Sequence, residues 1–301
     1  MGSASHRIVP PRNPLVSVVI PCHNQSHYLN DAIESVLKQT YGNREIIVVD
    51  DGSTDDTSNV ATRYPSVRYV YQSNQGLSSA RNAGIKAARG MYLVFLDADD
   101  RLVPDALRIG VELLHAHPNC GFVSGQHDLL NREGTQRTAG PRKSMADDDA
   151  YLALLMNNYI GMHAAVMYRR SVFASVGNFD PTLRACEDYD LYLRVARNIP
   201  TIRHDHVVAE YRLHDSNMSR DTMLMAQSAV SVLNAQRCHF EGRHDRIKAC
   251  RVGIRNWVNY YGQQIFRELR NNLDERDWLG VWASIVTLLR YSPFWVRNLL
   301  Q

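Results

Sequence analysis

The sequence predicts an α/β fold, a mainly parallel sheet flanked by helices with a C-terminal helical appendage. Three observations lead there. Short β-branched runs alternate with helix-periodic stretches, the arrangement of strands joined by crossover helices. Those runs are apolar at successive positions, as in strands covered on both faces. From about residue 221 onward turn signals thin out and long helical patterns take over.

Each element follows from its residues. Residues 15–20 form a buried strand stopped by Pro21, and a polar turn leads to a helix that Asn30 can cap, with Asp31 and Glu34 suited to its positive end. Residues 45–49 are a second strand, ending in Asp50-Asp51-Gly52-Ser53. Residues 67–71 read as a third strand, and residues 77–88 as a helix closed by Gly90. Residues 91–96 are a fourth strand running straight into Asp97-Ala98-Asp99-Asp100, and Pro104 opens the next helix. Beyond an irregular stretch at 131–149 come a short helix at 150–156, a strand-like 164–168, a turn at 177–181, a helix at 187–197 and a strand at 207–212.

Composition bounds what such a chain does. With 301 residues, 45% hydrophobic and 22% charged, it is an ordinary globular sequence, which excludes disordered and collagenous classes. The division expected is a flexible segment at 1–14, the α/β domain at 15–220 and a helical region at 221–301. A net charge of +3, from 34 Lys+Arg against 31 Asp+Glu, gives no bulk reason to invoke nucleic acid. Five cysteines at wide spacing without a C-x-x-C point to a reducing compartment. No run suits a signal peptide or crosses a bilayer, so the expectation is a cytoplasmic protein.

The acidic strand ends carry the chemistry. Ligands of open parallel sheets sit beyond the carboxyl ends of strands. Carboxylates crowded there, as at Asp97, Asp99 and Asp100, repel one another, and Mg²⁺ or Mn²⁺ relieves the conflict and can hold a diphosphate. The same residues also suit a solvated turn. Asp51 can accept from a base or ribose, or simply belong to a capping loop. Arg81, a turn after Gly76-Leu77, can reach a phosphate or face solvent. Glu187, Asp188 and Asp190 open a helix where negative charge is favoured, and one acid there can act as a general base. His214 can ligate a metal or sit solvated in its loop. No G-x-G-x-x-G, P-loop, H-E-x-x-H or G-x-S-x-G occurs.

Taken in order, SVVIPCHNQSHYLNDAIESVLKQTY, EIIVVDDGSTDDT, NQGLSSARNAGI, YLVFLDADD, VGNFDP and EDYDLYLR resemble the family 2 glycosyltransferases of GT-A fold, over residues 16–219. The resemblance implies an inverting enzyme that uses a nucleotide-diphosphate sugar, often a UDP-sugar. It implies that Pro21, His23, Asn24 and Asp51 surround base and ribose, that Arg81 lies near the nucleotide, and that Glu187 belongs to the nucleotide-sugar pocket. Asp97 and Asp99 match the metal-binding D-x-D, with Asp99 the direct ligand and Asp97 nearer the ribose; His214 matches a later metal or diphosphate contact, and Asp188 the catalytic base. His23 stands where the family often has an aromatic residue, and the Q-x-x-R-W of processive synthases is absent, which favours single-sugar transfer. The implied cofactor is Mn²⁺ or Mg²⁺, and the implied partners are a nucleotide-sugar donor and a glycan, lipid-linked or other hydroxyl acceptor, contacted by residues 131–149 and 159–180. The rival readings are a nucleotidyltransferase and a non-catalytic nucleotide-sugar binder.

The tail holds Trp278, Leu279, Val281, Trp282, Ile285 and Trp295, with Arg290 and Arg297 interleaved. Two readings stay open. One is a peripheral anchor at the inner face of the membrane; the other is a helix packed on the catalytic domain or on a second subunit of a homo-oligomer.

Overall fold

The computed structural model describes residues 13–142, 144–145 and 148–291. The expected flexible segment therefore lies outside the described residues except for Asn13 and Pro14. Their carbonyl oxygens accept from Asn43 Nδ2 (2.7 Å) and the Tyr41 hydroxyl (2.7 Å).

The first half alternates β1 (Val16–Cys22), α1 (Ser26–Leu37), β2 (Arg44–Asp51), α2 (Thr57–Thr62), β3 (Val67–Gln72), α3 (Leu77–Ala87) and β4 (Tyr92–Phe95). Then follow β5 (Arg101–Leu102), α4 (Ala106–Ala116), β6 (Phe122–Leu130), β7 (Arg137–Thr138), α5 (Ala150–Met156), β8 (Val166–Arg169), α6 (Ser171–Val176), α7 (Glu187–Ala196) and β9 (Thr201–Arg212). The C-terminal part is α8 (Thr222–Ala235), α9 (His244–Asp274) and α10 (Trp278–Tyr291).

All nine strands of the described residues form one sheet in the order β3-β2-β1-β4-β8-β6-β9-β5, with β7 on β6. The β3-β2-β1-β4 half is wholly parallel. Beyond it, β8 runs antiparallel to β4 and β6, while β6 and β9 pair in parallel over most of their length. The chain winds outward from β1 to β3 and returns to β4 on the other side of β1. That reversal opens a crevice at the carboxyl ends of β1, β2 and β4.

Alternation along the strands splits the core. Val18, Ile20, Ile46, Val48 and Val94 meet Ile33 and Val36 of α1 and Leu107 of α4 on one face. Val19, Ile47, Val49, Leu93 and Phe95 meet α5, α7, α8 and the first half of α9 on the other. The C-terminal helices thus share a core with the sheet, through Ala229, Val232, Leu233, Ala249 and Cys250.

Three sequence expectations change in detail. α1 begins at Ser26 after Gln25, so Asn30 lies inside the helix and does not cap it. The helix after Pro104 begins only at Ala106. β9 starts at Thr201, six residues before the expected strand. Four further elements escape the sequence pattern: β6, whose middle is Ser124-Gly125-Gln126-His127-Asp128, the two-residue β5 and β7, and the short α6. Polar residues disguise β6, yet Ser124, Gln126, His127 and Asp128 are all buried, with Asp128 held by Arg137 (2.7 Å) and Arg142 (2.5 Å).

Candidate active site

The crevice deepens into a cavity of about 1040 Å³ that reaches from the ends of β1 and β2 across the Asp97–Asp100 loop to the start of α7 and the flank of α9. Pro21, His23, Asp51, Arg81, Asp97, Asp99, Glu187 and Asp188 all line it. These residues come from the ends of β1, β2 and β4, from α3 and from α7, so the sheet's switch point gathers them.

At the base of the cavity Asp51 is heavily engaged. Its carboxylate accepts from Gln72 Nε2 (2.7 Å) and from the backbone N–H of Gln75 (2.9 Å) and Gly76 (2.8 Å). A carboxylate offers about four acceptor positions, so this loop clasp leaves room for roughly one more partner. Gly76 takes φ 85, a left-handed value that suits glycine and lets its N–H reach Asp51. His23 Nδ1 lies 2.9 Å from the Asp51 carbonyl oxygen, and its exposed ring faces Asn74. Asn24 departs from its expected place. Its side-chain oxygen accepts from Thr54 N–H (2.8 Å), its own N–H donates to Ser53 Oγ (3.0 Å), and it does not line the cavity. Its backbone sits at φ 54, a conformation asparagine tolerates better than most residues.

Arg81 is also placed differently from the expectation of an accessible phosphate contact. It is 2% exposed. One guanidinium nitrogen meets Glu187 and another meets Asp97 Oδ1 at 2.8 Å, while the plane lies 5.6 Å from the Phe179 ring. The turn bearing Phe179 is fastened to α3 by Asn82, which both donates to the Phe179 carbonyl (2.9 Å) and accepts from its N–H (3.0 Å). Neighbouring anions overcome the burial penalty and raise the Arg81 pKa further, so it stays charged.

The acidic loop after β4 is braced from behind. Asp99 Oδ2 accepts from Gln25 Nε2 (3.2 Å) and lies 2.8 Å from His214 Nε2. Burial and the Asp97 charge raise the Asp99 pKa, with His214 opposing. Asp100, fully buried, is pushed well up by burial and by Asp99 and Asp97. Arg212 secures both: its N–H donates to Asp100 Oδ1 (2.9 Å), Nε to the Asp99 carbonyl (2.7 Å), and a terminal nitrogen to Asp31 (2.8 Å). His214 does not present a free nitrogen toward the cavity. Its Nδ1 is 2.9 Å from Ser216 Oγ, and its ring stacks on Tyr28 at 5.0 Å.

Asp188 is the second titratable group at the start of α7. Tyr189 N–H donates to it (2.7 Å) and Tyr192 hydroxyl lies 3.3 Å away. Burial and the adjacent Glu187 charge push its pKa up to about 6, against the lowering influence of Arg81. The helix N-terminus favours the ionised form, and the group is still mostly ionised at neutral pH, but its pKa stands above the ordinary carboxylate value. Desolvation outweighs the dipole.

The donor set suits a cation shared with substrate. Among the described residues no three His, Cys, Asp or Glu side chains are grouped to enclose an ion. Mg²⁺ at nucleotide sites takes only one or two carboxylates and fills its shell with phosphate oxygens and water. Asp97 and Asp99 offer that pair on the cavity wall, and the repulsion that raises Asp99 is what such an ion relieves.

Several cavity residues lay outside the sequence-based set. Gln25 lines the cavity and Arg212 lies behind it; both bond Asp99 across 74 and 113 positions of sequence, which patterning does not reveal. Trp257, Tyr260 and Tyr261 of α9 form an aromatic wall, with Trp257 stacked on Tyr261 at 5.5 Å and 10°. Their helical spacing was a signal, but nothing in it pointed toward the cavity. Pro141 and Ile160 to His163 also line it, within the stretches expected to meet an acceptor.

The family model described as "Glycosyl transferase family 2" matches residues 17–177. An uncharacterized glycosyltransferase of Rickettsia typhi is 33% identical over 223 residues, which cover 70% of this chain and 68% of that protein. The Escherichia coli UDP-Glc:alpha-D-GlcNAc-diphosphoundecaprenol beta-1,3-glucosyltransferase WfgD is 31% identical, over 68% of this chain and 79% of that one. Among solved structures, the mannosyltransferase PcManGT from Pyrobaculum calidifontis, in complex with GDP-Man and Mn²⁺, superposes with a TM-score of 0.61 at 18% identity, covering 94% of this chain and 88% of the other.

Proposed function

The chain belongs to glycosyl transferase family 2, and on that premise we propose that it moves a sugar from a nucleotide-diphosphate donor, a UDP-sugar, to a hydroxyl acceptor, with inversion at the anomeric carbon and dependence on Mn²⁺ or Mg²⁺. One observation carries the reading. A carboxylate with a pKa of about 6, Asp188, shares a cavity with the Asp97/Asp99 pair, and Arg81 bridges Asp97 to Asp188's neighbour Glu187. That is a base on one side and a diphosphate seat on the other.

In this reading Pro21, His23 and Asp51 receive the base and ribose, and Asn24 holds the loop that bounds them. Asp97 and Asp99 hold the cation, and His214 and Gln25 fix the Asp99 carboxylate by hydrogen bonding. A bound Mg²⁺ or Mn²⁺ there supplies positive charge against the departing diphosphate. Arg81 keeps Asp97 and Glu187 in place and adds its own charge to the same end of the cavity. Asp188 accepts the proton of the acceptor hydroxyl. The oxygen forms its bond to the anomeric carbon on the face opposite the bond to the diphosphate, which leaves with its electron pair. A pKa near 6 leaves Asp188 mostly ionised at neutral pH yet basic enough to hold a proton.

The acceptor side is walled by Trp257, Tyr260 and Tyr261, apolar faces that suit sugar rings. The name of the E. coli relative specifies a UDP-Glc donor and a lipid-diphosphate-linked sugar acceptor. This supports a UDP-sugar and a glycan or lipid-linked acceptor here, as in polysaccharide or glycolipid synthesis.

A panel of nucleotide sugars tests the assignment. Transfer releases free nucleoside diphosphate with each glycosyl product; pyrophosphate release would identify a nucleotidyltransferase, and no release a binding protein. The Asp188→Asn variant is expected to keep donor binding by calorimetry while losing about 10²–10⁴-fold in turnover. Transfer at the wild-type rate would remove Asp188 from the role.

A further inference from the structure

α10 is apolar on two sides. Val281 and Ile285 pack inward on Ile265 and Leu269 of α9. Trp278, Leu279, Trp282 and Val286 face outward, at 68%, 84%, 68% and 43% exposure. Their spacing of i, i+1, i+4 and i+8 puts all four on one stripe. A water-facing stripe ordinarily carries charge, but no charged residue occurs from Trp278 to Leu289.

We propose that this outer stripe docks α10 on an anionic lipid bilayer, lying along the interface. Over its described residues α10 is too short to cross. Fourteen residues span about 21 Å at 1.5 Å per residue, against a hydrocarbon core of about 30 Å. No helix among the described residues is long and apolar enough to cross. Its composition suits the boundary between lipid and water, where tryptophan and arginine are favoured. Residues 278–301 hold three of the four tryptophans, Arg290 and Arg297, and no acid. The charge is complementary to anionic headgroups. The acids of the preceding turn, Asp274, Glu275 and Asp277, are exposed and stop where the stripe begins, so the turn remains in water while the helix settles.

A second copy of the chain is the competing occupant. Two tryptophans at about two-thirds exposure, with Leu279 and Val286, offer on the order of 500 Å². A stable dimer uses ~800 Å² per partner. An interfacial helix needs only a stripe, so the described surface fits lipid better. The inference concerns binding and stands apart from the reaction proposed above.

Flotation of the full chain tests it, using vesicles of phosphatidylcholine with about one-third phosphatidylglycerol and vesicles of phosphatidylcholine alone. The wild type is expected to float with the anionic vesicles and less with the neutral ones. Leu279→Glu with Trp282→Glu should weaken partitioning about tenfold or more. The variant should keep its far-UV circular dichroism and its release of nucleoside diphosphate with a soluble acceptor. Leu279→Ser, a milder change at the most exposed position, gives the same readout if the double variant misfolds. Wild type that stays below the anionic vesicles, or variants that float equally well, would overturn the proposal. So would light scattering that shows a wild-type dimer which the same substitutions convert to monomer without changing flotation.

Discussion

Asp188 follows Cys186, whose backbone occupies φ 60, a left-handed value in which a side chain costs about 1–2 kcal/mol. That bend turns the first residues of α7 toward the cavity and buries them against Arg81 and Tyr192. The consequence is the raised pKa, and it fixes a pH dependence. With a folded pKa of about 6 above the ordinary 3.8, the native chain holds a proton that the unfolded chain releases between these values. The contribution of Asp188 to stability therefore falls as pH rises from 3.8 to about 6 and is flat above. Activity runs the other way, because only the ionised form accepts a proton. The profile of kcat/KM should drop about tenfold per pH unit below 6 and level off above it; a profile flat down to pH 5 would separate Asp188 from the proton transfer. At this scale the residue types were readable in the sequence, but not their alliances. Asp97, Asp99 and Asp188 stand at strand and helix ends that hydrophobic patterning marks. That Arg81 is buried, that Asn24 serves a loop and that His214 is spent on Asp99 depends on contacts between residues 16 to 115 positions apart.

Among the elements, α9 walls one flank of the cavity and shares the core of α5 and α8. Gly253 is where it passes closest to α5: a methyl there would meet the carbonyl oxygen of Leu155. Replacing glycine by alanine in a helix ordinarily gains about 1 kcal/mol. Here the obstacle is backbone and cannot rotate aside, so overpacking of about 1–3 kcal/mol should prevail. We expect Gly253→Ala to lower the urea midpoint. It should also reduce turnover more than donor affinity, since Trp257 lies one turn further on and shifts with the helix. An unchanged or raised midpoint would show that α9 and α5 can move apart freely. β1, β2 and β4 were legible because each carries a run of successive apolar residues, and β6 was not because its polar middle is buried. Burial of Asp128 follows from partners supplied by the β6–α5 connection, Arg137 and Arg142, and single-strand periodicity carries no trace of them.

The whole molecule is a sheet with helices on both faces, and its fold class was visible from alternation alone; the union of the C-terminal helices with that core was not, since helix periodicity tells of a buried stripe without naming what covers it. The same architecture predicts linkage between cation, nucleotide and global stability. Ligands that bind only the folded chain at about 100 times their Kd add ~2.7 kcal/mol. UDP with Mn²⁺ should raise the melting temperature, and EDTA should remove both the shift and the transfer activity until Mn²⁺ or Mg²⁺ is restored. An equal shift and full activity in EDTA would detach the carboxylate pair from metal. Geometry also sets a reach. From Tyr261, on the cavity wall, to Leu269, where α10 is seated, α9 advances little more than two turns, roughly 12 Å. A saccharide tethered to a surface beneath α10 would then arrive already aligned with the cavity mouth, whereas one diffusing in solution must find its orientation by collision. The span of a single helix would thereby sort acceptors by their attachment before any of their hydroxyls is inspected.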